Sequence, residues 1–230
     1  MLASKFKKIA AEIKRLGPYY FCKYKITDYY YRYKFNGLGL HYPGNNTSHI
    51  TVNEQSTNND CKINQSSGYF AIKRAFNHID LDFSEICLLD IGCGDGKVIN
   101  MAMQLKFKSV IGIELDERSV QQAIFNCKQM QAMGNKVPFS IYHADASKYT
   151  IPAGTNVIFM FNPFGEKTTK DVLKNIIHCQ SFQKNDFYII YITAVHKNVF
   201  LDYSKCHKIY ELLSFNKLNT EIAVFKIEHV

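Results

Sequence analysis

Three glycines at alternate positions, Gly92, Gly94 and Gly96, follow an apolar run that ends in an acid, Asp90. Glycine lets a backbone turn pass close to a ligand and adopts dihedral angles that other residues resist. A second apolar run ends in Glu114, 18 residues after Gly96. A carboxylate at such a position accepts hydrogen bonds from both hydroxyls of a ribose. These residue types, in this order, predict a binding site for a ligand that contains a nucleoside.

Two more apolar runs are followed by residues that accept hydrogen bonds. Asp145 and Ala146 follow one of them, and Asn162 and Pro163 follow the other. In open α/β sheets, ligands bind at the edge where the carboxyl ends of the parallel strands meet. We therefore expect these residues to lie at the same edge of a sheet as residues 92–96, which we call the glycine turn.

The spacing of the glycines separates two kinds of nucleotide ligand. A dinucleotide site has the pattern G-x-G-x-x-G, which in this chain would need glycine where Lys97 stands. The observed pattern, D-x-G-x-G-x-G from Asp90, instead resembles motif I of the class I S-adenosylmethionine-dependent methyltransferases. The resemblance covers residues 67–230 and leaves the first 66 residues unexplained. The alternatives are a nicotinamide-dependent oxidoreductase with a related fold and a non-catalytic binding module that acts through a basic arm.

The resemblance implies S-adenosyl-L-methionine as the cofactor and gives the predicted strand ends their roles. In the family, the glycine turn contacts the methionyl part, and an acid at the position of Asp90 lies near its ammonium group. Glu114 would bind the ribose, Leu115 would pack on the adenine, and Asp145 would accept a hydrogen bond from the adenine amino group. Related proteins often place an aromatic residue over the cofactor where Tyr69 stands, although core packing explains Tyr69 equally well. The implied cofactor-binding residues are Tyr69, Asp90, Gly92, Gly94, Gly96, Glu114, Leu115, Asp145, Ala146 and Asn162.

The run Asn162-Pro163-Phe164-Gly165 follows the fourth predicted strand. Many amino-group methyltransferases carry Asn/Asp-Pro-Pro-aromatic at this point, and here Phe164 replaces the second proline. The resemblance implies that Asn162 and the carbonyl of Pro163 are catalytic and accept hydrogen bonds from an acceptor NH₂ group. An amine must arrive neutral, whereas a hydroxyl or carbon acceptor often needs a base. His196, after the fifth predicted strand, is the candidate base, and a surface histidine without a catalytic role is the alternative.

Apolar runs and helical patterns alternate from residue 67 onward. Strands are predicted at 85–90, 109–114, 139–143, 156–161 and 187–194, and an antiparallel pair at 208–213 and 221–227. The alternation predicts an α/β fold with a doubly wound seven-stranded sheet, mostly parallel with a C-terminal antiparallel hairpin. An N-terminal helical extension precedes it. The S-adenosylmethionine-binding methyltransferase domain is therefore placed at residues 67–230.

Helices are predicted between these strands from apolar residues that recur at three- and four-residue spacing. Ser66 or Ser67 is the expected N-cap of the first, and the second is expected at Lys97–Phe107. The third should end at Gly134, because glycine is common just after a helix. Thr168–Asp171 is the expected capping sequence of the fourth.

Residues 1–66 are interpreted as a basic, aromatic helical arm followed by a polar loop. Nine of the 28 Lys and Arg residues, but two of the 20 acids, lie in residues 1–38, so this segment carries +7 of the total charge of +8. Its apolar spacing predicts an amphipathic helix that Gly17-Pro18 stops, and packing on the chain's own domain is the simplest explanation of that stripe. The charge fits nucleic acid, an anionic membrane surface or an acidic protein, with a lean toward nucleic acid.

Composition bounds the class of protein. No apolar run reaches the roughly 20 residues that a membrane-spanning helix needs, and the basic N-terminus lacks the apolar segment of a signal peptide. The seven cysteines are an odd, scattered set without a C-x-x-C pair, which indicates free thiols in a reducing cytosol. We find no cluster of metal ligands and expect no metal. The prediction is a cytoplasmic methyltransferase whose acceptor the sequence does not identify.

Overall fold

The computed structural model describes residues 2–42, 68–161, 164–178, 186–213 and 220–228. Most of the predicted polar loop and the predicted catalytic pair, Asn162 and Pro163, lie outside these ranges. Within the described ranges, no helix combines the length and the hydropathy needed to cross a membrane.

The strands are β1 (Cys87–Ile91), β2 (Ser109–Glu114), β3 (Phe139–His143), β4 (Val157–Phe161), β5 (Phe187–Ile192), β6 (Cys206–Leu213) and β7 (Thr220–Ile227). They form one sheet in the order β3-β2-β1-β4-β5-β7-β6. Strands β1 to β5 are parallel to their neighbours, whereas β7 lies antiparallel between β5 and β6. The predicted sheet with its antiparallel C-terminal hairpin is confirmed.

The helices are α1 (Leu2–Gly37), α2 (Tyr69–Phe76), α3 (Lys97–Gln104), α4 (Glu117–Ala132), α5 (Glu166–His178) and α6 (Asn198–Leu201). They cover both faces of the sheet. Side chains from the second half of α1 and from α2, α3 and α4 pack with Leu88 of β1, whereas α5 and α6 pack in a second core that contains Leu89. Neighbouring strand residues point to opposite faces, so one strand contributes to both cores. The doubly wound arrangement is therefore confirmed.

Helix α1 is broken at Gly17, whose backbone dihedral angles (φ 74°, ψ 155°) lie outside the helical range. Pro18 then starts the second half, where its missing N–H costs nothing because the first residues of a helix have no internal partner. The stop predicted at Gly17-Pro18 is thus a break between two helical halves. The tyrosine-rich segment after it is also helical, which we did not predict, and its residues Tyr31 and Phe35 are buried.

Two predicted helix caps are wrong. Helix α2 has Gly68 as its N-cap, and its Phe70 N–H donates a 2.8 Å hydrogen bond to Asp28 Oδ1 of α1. A carboxylate from a distant part of the chain therefore replaces the expected Ser66 or Ser67, both of which lie outside the described residues. Helix α5 begins at Glu166, so the predicted Thr168–Asp171 cap lies inside the helix.

Candidate functional site

The glycine turn joins β1 to α3 and is fastened to the end of β2. Gly92, Gly94 and Gly96 all have positive φ angles (74°, 50° and 80°), a region that disfavours side chains. The N–H groups of Gly92 and Cys93 both donate to the carbonyl of Ile113, at 2.9 and 3.0 Å. The turn therefore uses backbone donors to bind its own sheet, and its shape requires glycine.

Gly96 has a packing role as well as a conformational one. It is the N-cap of α3, and a Cβ atom on it would lie 3.1 Å from Cβ and 3.2 Å from Cα of Ala123 on α4. That distance is too short for a carbon contact without movement of helix α4. We expected a side chain at this position to obstruct a ligand. In the structure, such a side chain would first contact Ala123 of α4.

The carboxylate of Glu114, at the end of β2, is held by three backbone N–H groups. Gly94 donates to Oε2 at 2.9 Å, and Leu115 and Asp116 donate to Oε1 at 2.7 and 3.0 Å. These bonds fix the carboxylate between the glycine turn and the start of α4. They use both acceptor sites of Oε1 and one of Oε2, so one site on Oε2 remains for a ligand hydroxyl. Leu115, beside it, is 49% exposed, an unusual amount of uncovered apolar surface next to a polar site.

Asp90 lies near the carboxyl end of β1 and is 2% exposed. Its Oδ2 atom has no hydrogen-bond partner in the described part of the chain. Burial, with a further contribution from the negative charge of Glu114, raises the pKa of Asp90 well above its ordinary range. A buried carboxylate oxygen without a partner is costly, so its retention at a strand end favours a donor or cation supplied by a ligand.

Negative charge is concentrated around the glycine turn. Burial raises the pKa of Asp95, a hydrogen bond from Ser119 opposes the shift, and the charges of Glu114 and Asp116 add to it. The charge of Glu114 likewise contributes to the raised pKa of Asp90. The charge of Glu114 therefore makes both Asp90 and Asp95 harder to ionise, and a positively charged ligand at this turn would oppose both shifts.

Tyr69 and Lys97 face each other beside the turn. The Lys97 ammonium lies 4.2 Å from the centroid of the Tyr69 ring, and burial lowers the pKa of Lys97 to about 8. Tyr69 is 4% exposed and stacks on Tyr31 of α1, with ring centroids 5.8 Å apart. The structure thus places Tyr69 in an aromatic cluster with α1, and its predicted contact with the cofactor stays a prediction.

Asp145 follows β3 in a tight turn, where its Oδ1 accepts hydrogen bonds from Ser147 N and Oγ at 2.9 and 2.8 Å. Ala146, between them, is partly buried. The ends of β2 and β3 are tied together, because Ala144 N donates to the Glu114 carbonyl at 3.0 Å. The structure therefore brings Asp145 to the same edge of the sheet as the glycine turn, as expected from the parallel strands.

The carboxyl ends of β4 and β5 are neighbours, since Phe161 pairs with Ile192. His196 lies just beyond this edge, partly buried, and its N–H is 3.5 Å from the hydroxyl oxygen of Tyr191. Thr193 has a φ angle of 50°, a rare conformation for a β-branched residue and one that is often found at functional sites. These residues lie where the resemblance puts the methyl acceptor, although their roles stay predictions.

A family model described as a methyltransferase domain matches residues 88–192. Its span runs from β1 to β5 and contains the glycine turn and the carboxylates around it. Residues 88–192, which are 105 of the 230 residues, are therefore similar to a methyltransferase domain, and we refer to them by that name. No curated protein sequence matches the chain.

Solved structures resemble the methyltransferase domain in fold. The yhhF protein of Escherichia coli, described as a methyltransferase, is 15% identical with a TM-score of 0.57, over 74% of this chain and 92% of that one. A Pyrococcus horikoshii protein described as an RNA methyltransferase is 18% identical with a TM-score of 0.52, over 70% and 85%. A dimethyladenosine transferase from Plasmodium falciparum is 16% identical over 68% of this chain, with a TM-score of 0.49, and this chain covers 60% of its length. At such identities, the Escherichia coli and Pyrococcus horikoshii structures show a shared fold alone.

Asn126 of α4 connects the methyltransferase domain to the residues that follow α1, and the sequence analysis missed it. Its side chain is fully buried. Oδ1 accepts from His41 N at 3.0 Å, and Nδ2 donates to the carbonyls of His41 and Asp95 at 2.8 and 2.9 Å. The available signal was a polar residue next to the apolar stripe of α4, between Ala123 and Cys127. Asn126 thus holds the glycine turn and the end of the arm together.

Asn126→Ala should lower the free energy of unfolding by about 2–3 kcal/mol, because it removes three hydrogen bonds that the buried Asn126 side chain makes with the backbone of His41 and Asp95. Urea unfolding followed by circular dichroism measures this change. Gln122→Ala is the control, because Gln122 Nε2 contacts the same Oδ1 at 3.2 Å but leaves Asn126 in place. A loss below about 0.5 kcal/mol for Asn126→Ala, within the usual range of surface changes, would contradict the role.

Proposed function

We propose that this protein transfers a methyl group from S-adenosyl-L-methionine to an acceptor. The observation that carries the proposal is the buried, unpartnered Oδ2 of Asp90 beside the glycine turn, within a group of carboxylates. S-adenosylmethionine brings an ammonium and a sulfonium, both positive, to such a site. The methyltransferase domain at residues 88–192 supports the same conclusion.

The nicotinamide alternative is disfavoured by the same site. A pyrophosphate needs N–H donors and tolerates no nearby carboxylates. In the glycine turn, the N–H groups of Gly92 and Cys93 donate to Ile113, and that of Gly94 donates to Glu114. Three donors that a dinucleotide would use are therefore occupied, and negative charge surrounds them.

The residues present fit the cofactor in three respects. The unpartnered Asp90 oxygen suits the ammonium of the methionyl part. Gly94 has a positive φ angle and no side chain, so the backbone of the turn can lie close to the ligand. Glu114 is held in place with one acceptor site on Oε2 left for a ribose hydroxyl, and exposed Leu115 offers an apolar surface for the adenine. Asp145 would accept from the adenine amino group.

When bound, S-adenosylmethionine supplies an electrophilic methyl group, so the protein's task is alignment of the acceptor and exclusion of water. Asn162 and the Pro163 carbonyl would hold an acceptor NH₂ through hydrogen bonds and orient its lone pair. His196 would serve instead as a base if the acceptor were a hydroxyl or carbon. The paired ends of β4 and β5, the strands that precede these residues in the chain, support this assignment.

The acceptor we propose is an amino nitrogen on a nucleic acid or protein. The partial match at Asn162-Pro163 supports nitrogen, and the fold shared with a protein described as an RNA methyltransferase supports nucleic acid. A labelled-methyl transfer assay against fractionated RNA, protein and metabolites from the native cell tests this. Label in RNA or protein that is lost with Gly94→Asp supports the proposal, and label confined to metabolites contradicts it. A cytoplasmic location, expected from the free thiols, remains part of the proposal.

Asn162→Ala should leave cofactor affinity within about twofold of the wild type but lower turnover by about 100-fold, because the main role proposed for its amide is to orient the acceptor. That result would remove Asn162 from the implied cofactor-binding residues. Calorimetry measures the affinity, and the labelled-methyl assay measures the turnover. The conservative change Asn162→Asp restores an acceptor oxygen and should recover part of the rate. Wild-type turnover in Asn162→Ala would remove Asn162 from the catalytic role.

A further inference from the structure

The second half of α1 carries apolar side chains on two opposite faces. Its inner face contains Tyr31 and Phe35, which are buried and pack against Tyr69 of α2. Its outer face carries residues at three- and four-residue spacing, and this spacing places side chains on one side of a helix. We call these residues the outer stripe: Tyr19, Cys22, Ile26, Tyr29 and Tyr33. All of them are exposed, including Ile26 at 68% and Tyr33 at 74%.

Positive charge borders the outer stripe on both sides. At 3.6 residues per turn, Lys25 and Arg32 fall along one edge of the stripe, and Lys23 and Lys34 fall along the other. The one acid in residues 18–38, Asp28, lies on the inner side, where it accepts the hydrogen bond from α2. The outer face is therefore apolar along its centre, cationic along both edges and free of acidic side chains.

The net positive charge of this segment is compatible with both nucleic acid and an anionic membrane surface. The arrangement of the apolar and cationic side chains distinguishes between the two. A surface for nucleic acid places its cations where the phosphates lie, at the centre of the contact, because phosphate neutralisation dominates the affinity. Here the centre is Ile26 with Cys22, and the cations are lateral. A helix that lies in a bilayer surface has this pattern, with apolar side chains toward the acyl region and Lys or Arg among the headgroups. Tyrosine is also enriched at that boundary.

We propose that the outer stripe binds the surface of an anionic phospholipid bilayer, with the second half of α1 parallel to the membrane plane. The stripe is about 21 Å long, because Tyr19 and Tyr33 are separated by 14 helical steps of about 1.5 Å each. The inner face meanwhile keeps the methyltransferase domain attached through Tyr31 and Asp28. The proposal goes beyond the proposed function and does not depend on it, because no residue of the outer stripe belongs to the cofactor site.

Vesicle flotation with the full chain tests the lipid requirement. The protein should float with vesicles of phosphatidylcholine and phosphatidylglycerol in equal parts, and should remain behind with phosphatidylcholine alone or at high salt. Each Lys or Arg near such a surface contributes about fivefold to binding, so Lys23→Gln with Lys34→Gln should weaken it about 25-fold. Failure of the folded wild type to float with the anionic vesicles would overturn the proposal.

A matched pair of substitutions tests the apolar centre. Ile26→Glu places a charge in the outer stripe, and Met133→Glu places the same charge at the end of α4, where the side chain is 64% exposed against 68% for Ile26. We expect Ile26→Glu to weaken vesicle binding more than tenfold and Met133→Glu to leave it unchanged. Circular dichroism should show both variants folded, and calorimetry should show both with wild-type affinity for S-adenosylmethionine.

Three results would contradict the bilayer assignment. Equal vesicle binding by Ile26→Glu and the wild type would remove the stripe from the contact. Single-stranded RNA that competes with vesicles, and whose own affinity falls more than tenfold in Ile26→Glu, would assign the face to nucleic acid. A wild-type dimer in sedimentation that Ile26→Glu converts to monomer would assign the face to a second copy of the chain.

Discussion

Gly94→Asp should weaken the binding of S-adenosylmethionine by at least about 100-fold. The residue has a φ angle of 50°, and its N–H donates to Glu114. A side chain at this angle strains the turn by about 1–2 kcal/mol. The added carboxylate also lies near Glu114, whose charge already adds to the raised pKa of Asp90 and of Asp95. The loss amounts to about 3 kcal/mol, at 1.4 kcal/mol for each tenfold change in affinity.

Gly134→Asp is the matched control for this substitution. Gly134 also has a positive φ angle, 88°, and a Cβ atom there would meet no atom within 4 Å. Gly134 follows α4, far from the carboxyl ends of the strands. Its substitution by Asp nevertheless introduces the same backbone strain and the same charge. Calorimetry should show near-wild-type affinity in Gly134→Asp. Equal loss of affinity in the two variants would show that charge and strain act globally, and the ligand would no longer be placed at the turn.

Asp90→Asn should weaken cofactor binding by more than tenfold while it raises the stability of the free protein. Its Oδ2 has no partner in the described structure, and burial raises its pKa. An amide removes the cost of the buried charge, so the free energy of unfolding should rise by about 1–2 kcal/mol at pH 7. The ammonium of the ligand loses its counter-charge in the same step. If Asp90 had only a structural role, Asp90→Asn would instead lower the free energy of unfolding.

The pH dependence gives this prediction a second measurement. Because folding raises the pKa of Asp90, the folded state binds its proton more tightly than the unfolded state. The resulting stability is fully present below the unfolded pKa and is lost as pH rises toward the folded value. The stability advantage of Asp90→Asn should therefore grow between acidic and neutral pH. A constant difference across that range, or a destabilised Asn variant, would contradict the buried charge.

Local patterns predicted most of the domain's fold. The strands predicted at 109–114 and 139–143 have the same bounds as β2 and β3. Short apolar runs between helical patterns are easy to recognise as strands. The first strand is shifted, since Phe83–Glu85 forms a 3-10 turn and the strand starts at Cys87. Helix α3 ends at Gln104 rather than Phe107, and β5 ends at Ile192 rather than Ala194. Such errors occur at the ends of elements, where tertiary contacts decide the last hydrogen bonds.

The features that the sequence did not reveal depend on contacts between distant residues. Asp28 caps α2 across 42 positions, and Asn126 reaches back 85 positions to His41. No local pattern encodes either contact. The helix after Pro18 was missed because tyrosines are poor helix formers, and its stability comes from packing of Tyr31 and Phe35 on the domain.

The candidate site divides in the same way. The strand-end residues Asp90, Glu114 and Asp145 could be predicted because parallel strands bring their carboxyl ends to one edge. The acidic character of the turn could not be predicted from the sequence. It depends on the burial of Asp90 and on the backbone N–H groups that donate hydrogen bonds to Glu114. It is this electrostatic character that separates a cationic ligand from a pyrophosphate. Tyr69, which the resemblance puts over the cofactor, contacts Tyr31 and Lys97, and its contact with the cofactor stays a prediction.

Calorimetric titration of the wild-type protein with S-adenosyl-L-methionine tests the central claim most directly. The acidic glycine turn predicts one site per chain with about micromolar affinity, and a parallel titration with NADH followed by fluorescence should show no binding. Absence of binding by S-adenosylmethionine to protein shown to be folded would contradict the account. Binding of NADH in its place would contradict it equally.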